Sequence, residues 1–477
     1  MSKFENVQSI ETNLEAPDGL PLPQRKVAML VILLGMVLCV MDSTMLNMVL
    51  PQVARQWQID AAQTLWVVNA NQVASLVLLL PLAGLGDRLG YRRVYLCGML
   101  VFGLASVASL LAPSLPWLIA ARALQGIGAA GVLSVNASLV RLIYPRAQLG
   151  QGMALNSLMV ALAFVAGPAV AALVIAWTDW HWLFVLHLPI ALLSVWLGKR
   201  YLPHSDASRD AETTSALTVL DVVLNMTMFG CLFLAVDRIS HWGDDSNFMT
   251  PLVFFVLGAG SGIWYMRRQS KVSAPIFPLD LLKKPVFALS MGASISAFCA
   301  QNMAFLSLPF LLMEARGMPA AQAGMLISGW PLALAVTAPF VGRLIGRYPA
   351  GRLGGIGMTI FAAGLASLAW MPEHPAQWGV VWRMALCGIG FAFFQSPNNF
   401  TIVTSAPVHR SGAASGMLGT ARHIGQGMGA VLLAGAFVLW HETPGLPEKN
   451  ALLMSCFCAV CAGCFSMLRK TAVAKHY

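Results

Sequence analysis

The sequence predicts an all-α membrane protein with fourteen transmembrane helices, and three observations lead to that fold class. Apolar residues make up 57% of the 477 residues and charged residues only 10%, against about 45–50% and about 25% in soluble domains. Apolar stretches long enough to cross a bilayer recur along the whole chain. Of the 30 lysines and arginines, 23 fall in or beside every second loop between these stretches, as expected when basic loops stay in the cytoplasm during insertion.

Each predicted span is a helix because its length and composition leave no other membrane-spanning structure. A helix needs roughly 20 mostly apolar residues to cross the bilayer, and runs this long and continuous are unlike barrel strands. The first run lacks a small-residue cleavage site and follows a polar tail, so we expect a span there and not a cleaved signal peptide. The predicted spans are residues 27–50, 64–84, 94–112, 117–140, 151–175, 180–198, 217–236, 248–266, 286–313, 320–345, 352–371, 377–402, 411–440 and 451–468.

The basic residues also predict sidedness. The loops opposite to the basic ones hold only Arg55, Arg238, Arg316 and Lys449, so we expect both termini in the cytoplasm. The net charge of +10 lies mostly in loops that would face anionic headgroups, and it therefore points to the lipid bilayer and not to nucleic acid. The loops are too short for a catalytic domain. We expect a monomer in the bacterial cytoplasmic (inner) membrane.

An internal repeat divides the predicted spans into two sets of six. The matches, at offsets near 260 residues, are Pro81 and Gly84 with Pro339 and Gly342, Trp117 and Arg122 with Trp378 and Arg383, and Arg146, Gly152 and Met153 with Arg410, Gly416 and Met417. We predict a tail at 1–26, an N-terminal six-helix bundle at 27–198, a linker with two inserted helices at 199–285, a C-terminal six-helix bundle at 286–468 and a tail at 469–477. Parallel repeats of this kind are typical of transporters whose halves rock around a midplane site.

Five segments of the spans and their loops carry motifs. They are Asp42-Ser-Thr44-Met-Leu-Asn47-Met-Val-Leu50-Pro51, Gly86-Asp87-Arg88-Leu-Gly90-Tyr-Arg92-Arg93, Arg122-Ala-Leu-Gln125-Gly126, Ala166-Gly167-Pro168 and Arg422-His423-Ile-Gly425-Gln-Gly427-Met-Gly429. Together they resemble the major facilitator superfamily, specifically its drug:proton antiporters with fourteen spans. The chain departs from the family pattern at Ala83, where a glycine is usual, and at Ala171 and Ala172, which replace a glycine pair. The resemblance implies the major facilitator fold, a gating role for the Asp87 loop and a role in proton transfer for the Arg122 motif.

Asp42 is the carboxylate that lies well inside a predicted span, about 15 residues or roughly 22 Å from its start. A charge at such depth costs at least ~2.5 kcal/mol and is expected to face a polar cavity and to carry protons. The alternative is a structural acid paired with a cation such as Arg122. Arg122, Arg383 and Arg422 are the cations deep in spans. Each of them could modulate protonation or substrate binding. The alternative is that each braces a helix by donating hydrogen bonds to carbonyl groups.

Two further sets of residues complete the predicted site. The substrate-binding candidates are Asp42, Asn47, Asn71, Gln125, Asn136, Gln301, Asn398 and Arg422. The gating candidates are Asp87, Arg88, Arg92, Arg93, Gly167 and Pro168. Polar groups in spans also act as interhelical contacts worth about 0.6 kcal/mol each, and basic residues at loops also serve topology alone, so both sets compete with structural interpretations.

Three sequence signals are interpreted as structural. The G-x-G-x-x-G pattern at Gly126, Gly128 and Gly131 lies inside an apolar helix, where a dinucleotide loop does not fit and small-residue packing does. The cysteines at 456, 458, 461 and 464 are spaced so that they cannot all face one metal ion on a helix. His181 and His187 are interpreted as members of an aromatic belt at the membrane interface, with pH sensing as the alternative. We therefore expect neither a metal nor a cofactor, and no enzyme activity.

These features together predict a proton-coupled multidrug efflux antiporter that exports amphipathic small molecules by alternating access. Two other functions stay open. One is an exporter or symporter of a single metabolite or organic anion, read by Arg122, Arg383 or Arg422. The other is a transporter-like membrane sensor, which is disfavoured because no loop or tail is long enough for a signalling module.

Overall fold

The computed structural model describes residues 19–47, 53, 56–58, 61–204, 218–240, 249–270, 277–372, 375–407, 410–440 and 445–474. These residues form a bundle of long helices without named strands. The helices are α1 (Leu22–Asn47), α2 (Ala61–Leu89), α3 (Tyr91–Leu110), α4 (Leu115–Ile143), α5 (Leu149–Trp177), α6 (Trp182–Tyr201), α7 (Val219–Ser240), α8 (Met249–Gln269), α9 (Pro285–Pro309, continued by a π-helix at Phe310–Ala315), α10 (Ala320–Ile327 and Gly329–Leu344), α11 (Ala350–Ala369), α12 (Gln377–Ser405), α13 (Ser411–Leu439) and α14 (Leu446–Ala474).

Twelve helices of the described chain are long and apolar enough to cross a membrane. Helix α7 contributes a shorter apolar stretch, Val219–Ala235, and α13, which contains Arg422 and His423, is not among the twelve. A helix stands at each of the fourteen predicted spans, and the all-helical membrane fold is confirmed. Fourteen crossings stay a prediction.

Several helices, such as α1, α2 and α4, begin before the apolar stretches that predicted them, because backbone hydrogen bonding continues into the polar ends. Helix α1 begins at Leu22, five residues before the predicted boundary. Asp42 therefore lies 20 residues, or about 30 Å at 1.5 Å per residue, from the start of α1 and only five residues from its end at Asn47. The acid is thus near the end of the helix that is remote from the basic loops.

Glycine contacts hold neighbouring helices together in the same way in both sets of six. A Cβ at Gly98 would lie 2.8 Å from the carbonyl oxygen of Gly128, where α3 crosses α4. A Cβ at Gly357 would lie 2.6 Å from the carbonyl oxygen of Gly390, where α11 crosses α12. Backbones this close exclude any side chain, which is typical of small-residue crossings in membranes. Since Gly126, Gly128 and Gly131 all meet neighbouring backbone or side chains in this manner, their interpretation as packing residues is confirmed.

Helices α7 and α8 form a hairpin that packs against α2. Nε of Arg268 donates to Oδ1 of Asp221 at 2.7 Å, and this ion pair joins the two helices. Nδ2 of Asn225 donates to the carbonyl oxygen of Val77 in α2 at 2.7 Å. The inserted pair is therefore attached to the first set of helices, α1–α6, through a buried polar contact.

Candidate functional site

Asp42 and Arg122 form a buried ion pair between α1 and α4. Nη1 of Arg122 donates to both carboxylate oxygens of Asp42, at 2.7 Å to Oδ1 and 2.8 Å to Oδ2. Nε of Arg122 donates to the carbonyl oxygen of Val67 in α2 at 3.1 Å. Asp42 is 2% exposed and Arg122 is 0% exposed, so both charges are removed from solvent. Such a pair is tolerated only because each charge compensates the other at close range.

Gln125 extends this pair into a network. Its Oε1 accepts from Nη1 of Arg122 at 2.5 Å, and its Nε2 donates to Oδ1 of Asp42 at 3.1 Å. The same amide nitrogen lies 3.2 Å from Oγ of Ser106 in α3. Arg122 and Gln125 are three residues apart on one face of α4, so both reach the same carboxylate. The polar network thus joins α1, α3 and α4.

His187 of α6 completes the cluster and corrects its assignment to an aromatic belt. The ring is 3% exposed and its Nε2 lies 3.8 Å from Oδ1 of Asp42. Its Nδ1 lies 3.3 Å from Oγ of Ser106 and 3.4 Å from Nε2 of Gln125. His181, by contrast, is half-buried and stacks on Trp180, in keeping with an interfacial position. The two histidines differ because His181 precedes α6, which begins at Trp182, whereas His187 shares the buried face of α6 with Phe184, three residues before it.

We name Asp42, Ser106, Arg122, Gln125 and His187 the Asp42 cluster. Apolar side chains surround the cluster on the side remote from the basic loops, and Met45, Leu46, Val67, Leu118 and Phe184 are all buried there. This low-polarity surrounding strengthens electrostatic interactions inside the cluster. Sequence motifs identified three of the five members. Ser106 and His187 were missed because neither belongs to a motif.

Gly167 of α5 packs against α1, the helix that carries Asp42. A Cβ at this position would overlap the hydroxyl of Thr44, two residues after Asp42 on α1. Helix α5 runs from Leu149 to Trp177 through Pro168; the side chain of Pro168 lies outside the described residues. A movement of α5 at Gly167 would therefore displace α1.

The structure separates the other predicted substrate-binding residues into several places. Nδ2 of Asn136 donates to Oδ1 of Asn156 at 3.3 Å, which links α4 to α5. Asn71 is buried, and its Nδ2 makes no hydrogen bond among the described residues. Gln301 is half-buried on α9. The side chain of Asn47 lies outside the described residues, as do Leu50 and Pro51 of the same motif.

Asn398 belongs to a second buried cluster around Arg469. Its Oδ1 accepts from Nη1 of Arg469 at 2.7 Å, and its Nδ2 donates to Oγ of Ser294 at 2.7 Å. Nη1 of Arg469 also donates to Oγ of Ser290 at 3.0 Å. Asn398 is 0% exposed, so in this conformation its amide is occupied by protein groups and does not line an open cavity. The basic-loop pattern had assigned Arg469 to topology alone.

The other two cations found deep in the predicted spans have different surroundings. Nε of Arg383 donates to the carbonyl oxygen of Ser367 at 2.9 Å, Nη1 donates to that of Gly379 at 2.5 Å, and the guanidinium lies over the ring of Trp382. Arg383 thus braces α12 against α11. Arg422 lies 5.2 Å from the ring centroid of Phe298. Its Nε is buried without a hydrogen-bond partner, and it makes no ion pair within the described chain.

Asp87 connects the two sets of helices on the basic-loop side, meaning the helix ends next to Arg88, Arg92 and Arg146. Its Oδ1 accepts from the backbone N–H of Gly412 at 2.9 Å, and its Oδ2 accepts from that of Ala413 at 3.2 Å. The hydroxyl of Tyr91 donates to Oδ1 at 2.7 Å. The carboxylate therefore caps the N-terminus of α13, where free N–H groups and the helix dipole stabilise an anion.

Arg141 makes the complementary connection to α12. Its Nη1 donates to the carbonyl oxygens of Val403 at 2.8 Å and Ala406 at 2.9 Å, and to Oγ of Ser411 at 3.0 Å. A cation at the C-terminal end of a helix is stabilised by free carbonyl groups and by the helix dipole. Asp87 of α2 therefore binds the N-terminus of α13, and Arg141 of α4 binds the C-terminus of α12. Both of these helices belong to the second set, α9–α14. Arg141 was not among the predicted gating residues because its position suits topology alone.

The predicted gating arginines make other contacts. Nη1 of Arg92 donates to the carbonyl oxygen of Leu202 at 3.3 Å and lies 2.9 Å from Nδ1 of His204, so Arg92 joins the start of α3 to the end of α6. Arg93 is exposed, and Nε of Arg88 is buried without a hydrogen-bond partner in the described part of the chain. The structure brings Asp87, and not these arginines, against the second set of helices.

Asp87→Asn is expected to open the basic-loop side. The amide group keeps one acceptor but places an NH₂ group where the carboxylate accepts backbone N–H bonds, and a hydrogen bond to a charged group contributes about 1.5–3 kcal/mol. A cysteine placed at Ser415, which is buried at this interface, should react about tenfold faster with a membrane-impermeant maleimide added on that side. The nine native cysteines are replaced in the protein used for this measurement, so that only the introduced cysteine reacts.

Asp280→Asn is the matched control, because Asp280, in the segment before α9, pairs with Arg410, the residue before α13, and is not a ligand of the α13 backbone N–H groups that Asp87 binds. Equal labelling rates in the Asp87→Asn and Asp280→Asn variants would contradict a gating contact.

A family model and several known transporters match this chain. The family model "Major Facilitator Superfamily" matches residues 32–430. The uncharacterized transporter YebQ of Escherichia coli (strain K12) is 43% identical over 454 residues, which cover 95% of this chain and 97% of that protein. The riboflavin transporter RibZ of Clostridioides difficile (strain 630) is 22% identical, covering 87% of this chain and 89% of its own length. The multidrug resistance protein Stp of Mycobacterium tuberculosis is 28% identical, covering 85% and 75%.

A solved structure has the same fold at low sequence identity. The human organic anion transporter MFSD10 superposes with a TM-score of 0.65 at 16% identity, covering 91% of this chain and 99% of that one. The likeness concerns the arrangement of the helices.

Proposed function

The chain belongs to the major facilitator superfamily, whose members are transporters and not enzymes, and we propose that it is a proton-coupled antiporter that exports amphipathic small molecules. The observation that carries the proposal is the buried pair of Asp42 and Arg122. A transporter that uses the proton gradient needs a group that takes up a proton on one side of the membrane and releases it on the other, and intramembrane acids supply this chemistry.

The distribution of interhelical contacts supports alternating access. The hydrogen bonds from Asp87 and Arg141 to the second set of helices lie on the basic-loop side. A Cβ at Gly342 of α10 would lie 2.5 Å from Cβ of Ala154 of α5 on the same side. If that side is cytoplasmic, as the basic loops predict, this is a conformation closed toward the cytoplasm. Rocking of the two sets about the Asp42 level would open it.

The proposed proton cycle starts from this conformation, which is closed toward the cytoplasm. The Asp42 cluster accepts a proton when it communicates with the outside and releases it toward the cytoplasm after the helices reorient. Competition between proton and substrate for the same state couples the two movements. One inward proton is worth about 2.3 kcal/mol per 100 mV of membrane potential, so export of an uncharged molecule against its gradient is possible.

The topology belongs to the same proposal. We place all fourteen helices across the bacterial inner membrane with both termini in the cytoplasm, in a monomer whose partners are lipid, protons and a small-molecule substrate. The twelve apolar helices support a multi-pass protein. The pair of Asp221, near the start of α7, and Arg268, near the end of α8, compensates two charges of the inserted helices.

Multidrug efflux is the substrate range we favour. The name of the relative Stp states multidrug resistance, and antibiotic resistance would follow if this chain does the same. The half-buried or exposed polar side chains of spans, such as Gln72 and Gln301, supply adaptable hydrogen bonds beside mostly apolar surfaces, which suits amphipathic molecules.

Transport of one metabolite or organic anion is the second candidate. The observation in its favour is Arg422, a cation whose Nε has no hydrogen-bond partner and which makes no ion pair among the described residues. An anionic group on a substrate would compensate this charge. The name of the relative RibZ states a single substrate, riboflavin.

Transport into everted membrane vesicles tests both candidates. The vesicles are given an acidic lumen, and uptake of ethidium, riboflavin and carboxyfluorescein represents a cation, a neutral heteroaromatic molecule and an anion. Multidrug antiport predicts proton-driven uptake of at least two of the three, abolished when a protonophore collapses the gradient. Uptake of carboxyfluorescein or riboflavin alone, lost in Arg422→Gln, would favour the second candidate. Uptake that is indifferent to the gradient for all three probes would overturn proton coupling.

A further inference from the structure

His187 is a buried titratable group that no motif assigns to the transport cycle. Its Nε2 lies 3.8 Å from Oδ1 of Asp42 and has no hydrogen-bond partner among the described residues. Its ring also packs against Phe102 at 5.5 Å and Phe184 at 6.0 Å between ring centroids. A satisfied core histidine would have both nitrogens bonded. Here one nitrogen is left facing a carboxylate.

The contacts of Nδ1 identify which nitrogen can exchange a proton. Oγ of Ser106 donates its hydrogen to the carbonyl oxygen of Phe102 at 2.9 Å, so toward His187 it acts as an acceptor. Nε2 of Gln125 also lies 3.4 Å from Nδ1, but its two hydrogens are donated to Oδ1 of Asp42 and Oγ of Ser106. Nδ1–H of His187, 3.3 Å from Oγ of Ser106, is therefore the donor that suits this acceptor. The ring therefore keeps a proton on Nδ1, and Nε2 is the nitrogen free to gain or lose one beside Asp42.

The hydrogen bonds of Asp42 favour the imidazole of His187 over the carboxylate as the group that first binds an added proton. Among the described residues, the charged groups facing His187 are Asp42 of α1 and Arg122 of α4; the other packed side chains, Ser106, Gln125 and Phe184, are uncharged. A proton placed directly on Asp42 would neutralise the carboxylate and weaken the contacts of Arg122 to its oxygens. A proton placed on Nε2 leaves those contacts intact and adds a second cation beside the same carboxylate.

We propose that His187 is the proton-relay residue of the Asp42 cluster, exchanging a proton between its Nε2 and Oδ1 of Asp42. This inference rests on the proposed function and names a second carrier in that same site. In the transfer the Nε2–H bond breaks and its electron pair stays on Nε2, while the Oδ1–H bond forms. The distance of 3.8 Å must shorten by about 1 Å for a hydrogen bond. Formation of the O–H bond then weakens the hold of Arg122 on the carboxylate.

A difference titration of purified protein tests the relay without any substrate. Proton binding between pH 8 and pH 5 is measured in detergent for the wild type, His187→Gln, Asp42→Asn and the double variant. The difference between wild type and His187→Gln gives the His187 proton next to a carboxylate. The difference in proton binding between Asp42→Asn and the double variant gives the His187 proton next to the amide that Asp42→Asn introduces, that is, without the carboxylate. We expect the midpoint of the second curve to lie at least one pH unit below that of the first, because the carboxylate no longer compensates the imidazolium.

Transport supplies the second measurement. In the everted vesicles with ethidium as probe, His187→Gln is expected to move the half-maximal lumenal pH to lower values by at least one unit and to lower the rate at pH 6 at least about tenfold. His181→Gln is the matched control, since His181 lies six residues earlier and outside the cluster. Ser106→Ala keeps the imidazole and removes the Nδ1 acceptor, so it should shift the profile in the same direction by less.

The outcomes separate the relay from the proposed function. Identical midpoints in the two difference curves, or a uniform loss of rate with an unchanged pH profile, would overturn the relay while proton-driven uptake by the wild type upholds antiport. No proton-driven uptake by the wild type, with midpoints that differ as expected, would overturn the proposed function and keep the coupling of His187 to Asp42. If His187→Gln is not recovered in folded form, His187→Asn and Ser106→Ala carry the same comparison.

Discussion

Asp42→Asn is expected to lower proton-driven uptake by everted vesicles at least about a hundredfold, the range that a positioned proton donor or acceptor contributes. Asparagine has nearly the same shape, and it can still accept a hydrogen bond from Arg122 and Gln125. It cannot take up and release a proton or compensate the charge of Arg122. The same variant should release no proton when substrate is added to purified protein, whereas the wild type should release one.

The control for this result is another buried acid. Asp221 is 2% exposed and pairs with Arg268 in the inserted hairpin, so Asp221→Asn tests whether loss of any buried ion pair impairs transport. We expect Asp221→Asn to lower the amount of folded protein while leaving the rate per molecule close to that of the wild type. Substrate-driven proton release that persists in Asp42→Asn would remove Asp42 from the coupling mechanism.

Arg122→Met is expected to destabilise the fold by about 3–5 kcal/mol, because it leaves the carboxylate of Asp42 buried without a compensating charge. The substitution keeps most of the volume of the side chain, so lost packing contributes little. Adding Asp42→Asn to this variant should restore most of the stability, since the double variant buries no charge at this position. The restoration is the signature of an ion pair in a double-mutant cycle. Thermal unfolding of the purified proteins in detergent measures both effects.

Arg383→Met is the matched comparison across the repeat. Arg383 donates to carbonyl groups and lies over Trp382, and it makes no ion pair with an acid among the described residues. We expect its loss to cost less than half as much as the loss of Arg122. Equal destabilisation by the two substitutions, or no restoration by Asp42→Asn, would show that Arg122 braces the helix and does not serve the charge of Asp42.

Much of the fold and part of the site could be predicted from the sequence. The predicted spans coincide with helices because hydrophobic length and the bilayer act on each segment separately. Asp42, Arg122 and Gln125 were identified because their motifs place polar groups where lipid would penalise them. His187 was missed since a histidine among tryptophans near the start of a span resembles an interfacial residue. Its spacing of three residues from the buried Phe184 was the available signal for an inward orientation.

Basic residues show the same limit. Arg141 and Arg469 fit the alternating pattern of the loops, and that pattern explains them without any further role. The structure instead buries Arg469 among Ser290, Asn398 and Ser466 and directs Arg141 at the end of α12. A long side chain near a helix end can reach either the headgroups or a neighbouring helix, and composition does not distinguish the two.

The sequence by itself determined that this protein is a multi-pass helical bundle of transporter type, with an internal repeat and an acid inside its first apolar span. These properties depend on local hydrophobicity, on charge and on spacing along the chain. Only the tertiary structure decided which polar groups meet. Asp42 and His187 are 145 residues apart, and their contact requires that α1 and α6 each have a particular rotation about the helix axis. Those rotations are set by close packing with other helices, as at Gly35 of α1 beside Tyr95 and at Gly198 of α6 beside Leu96, and not by the segments themselves.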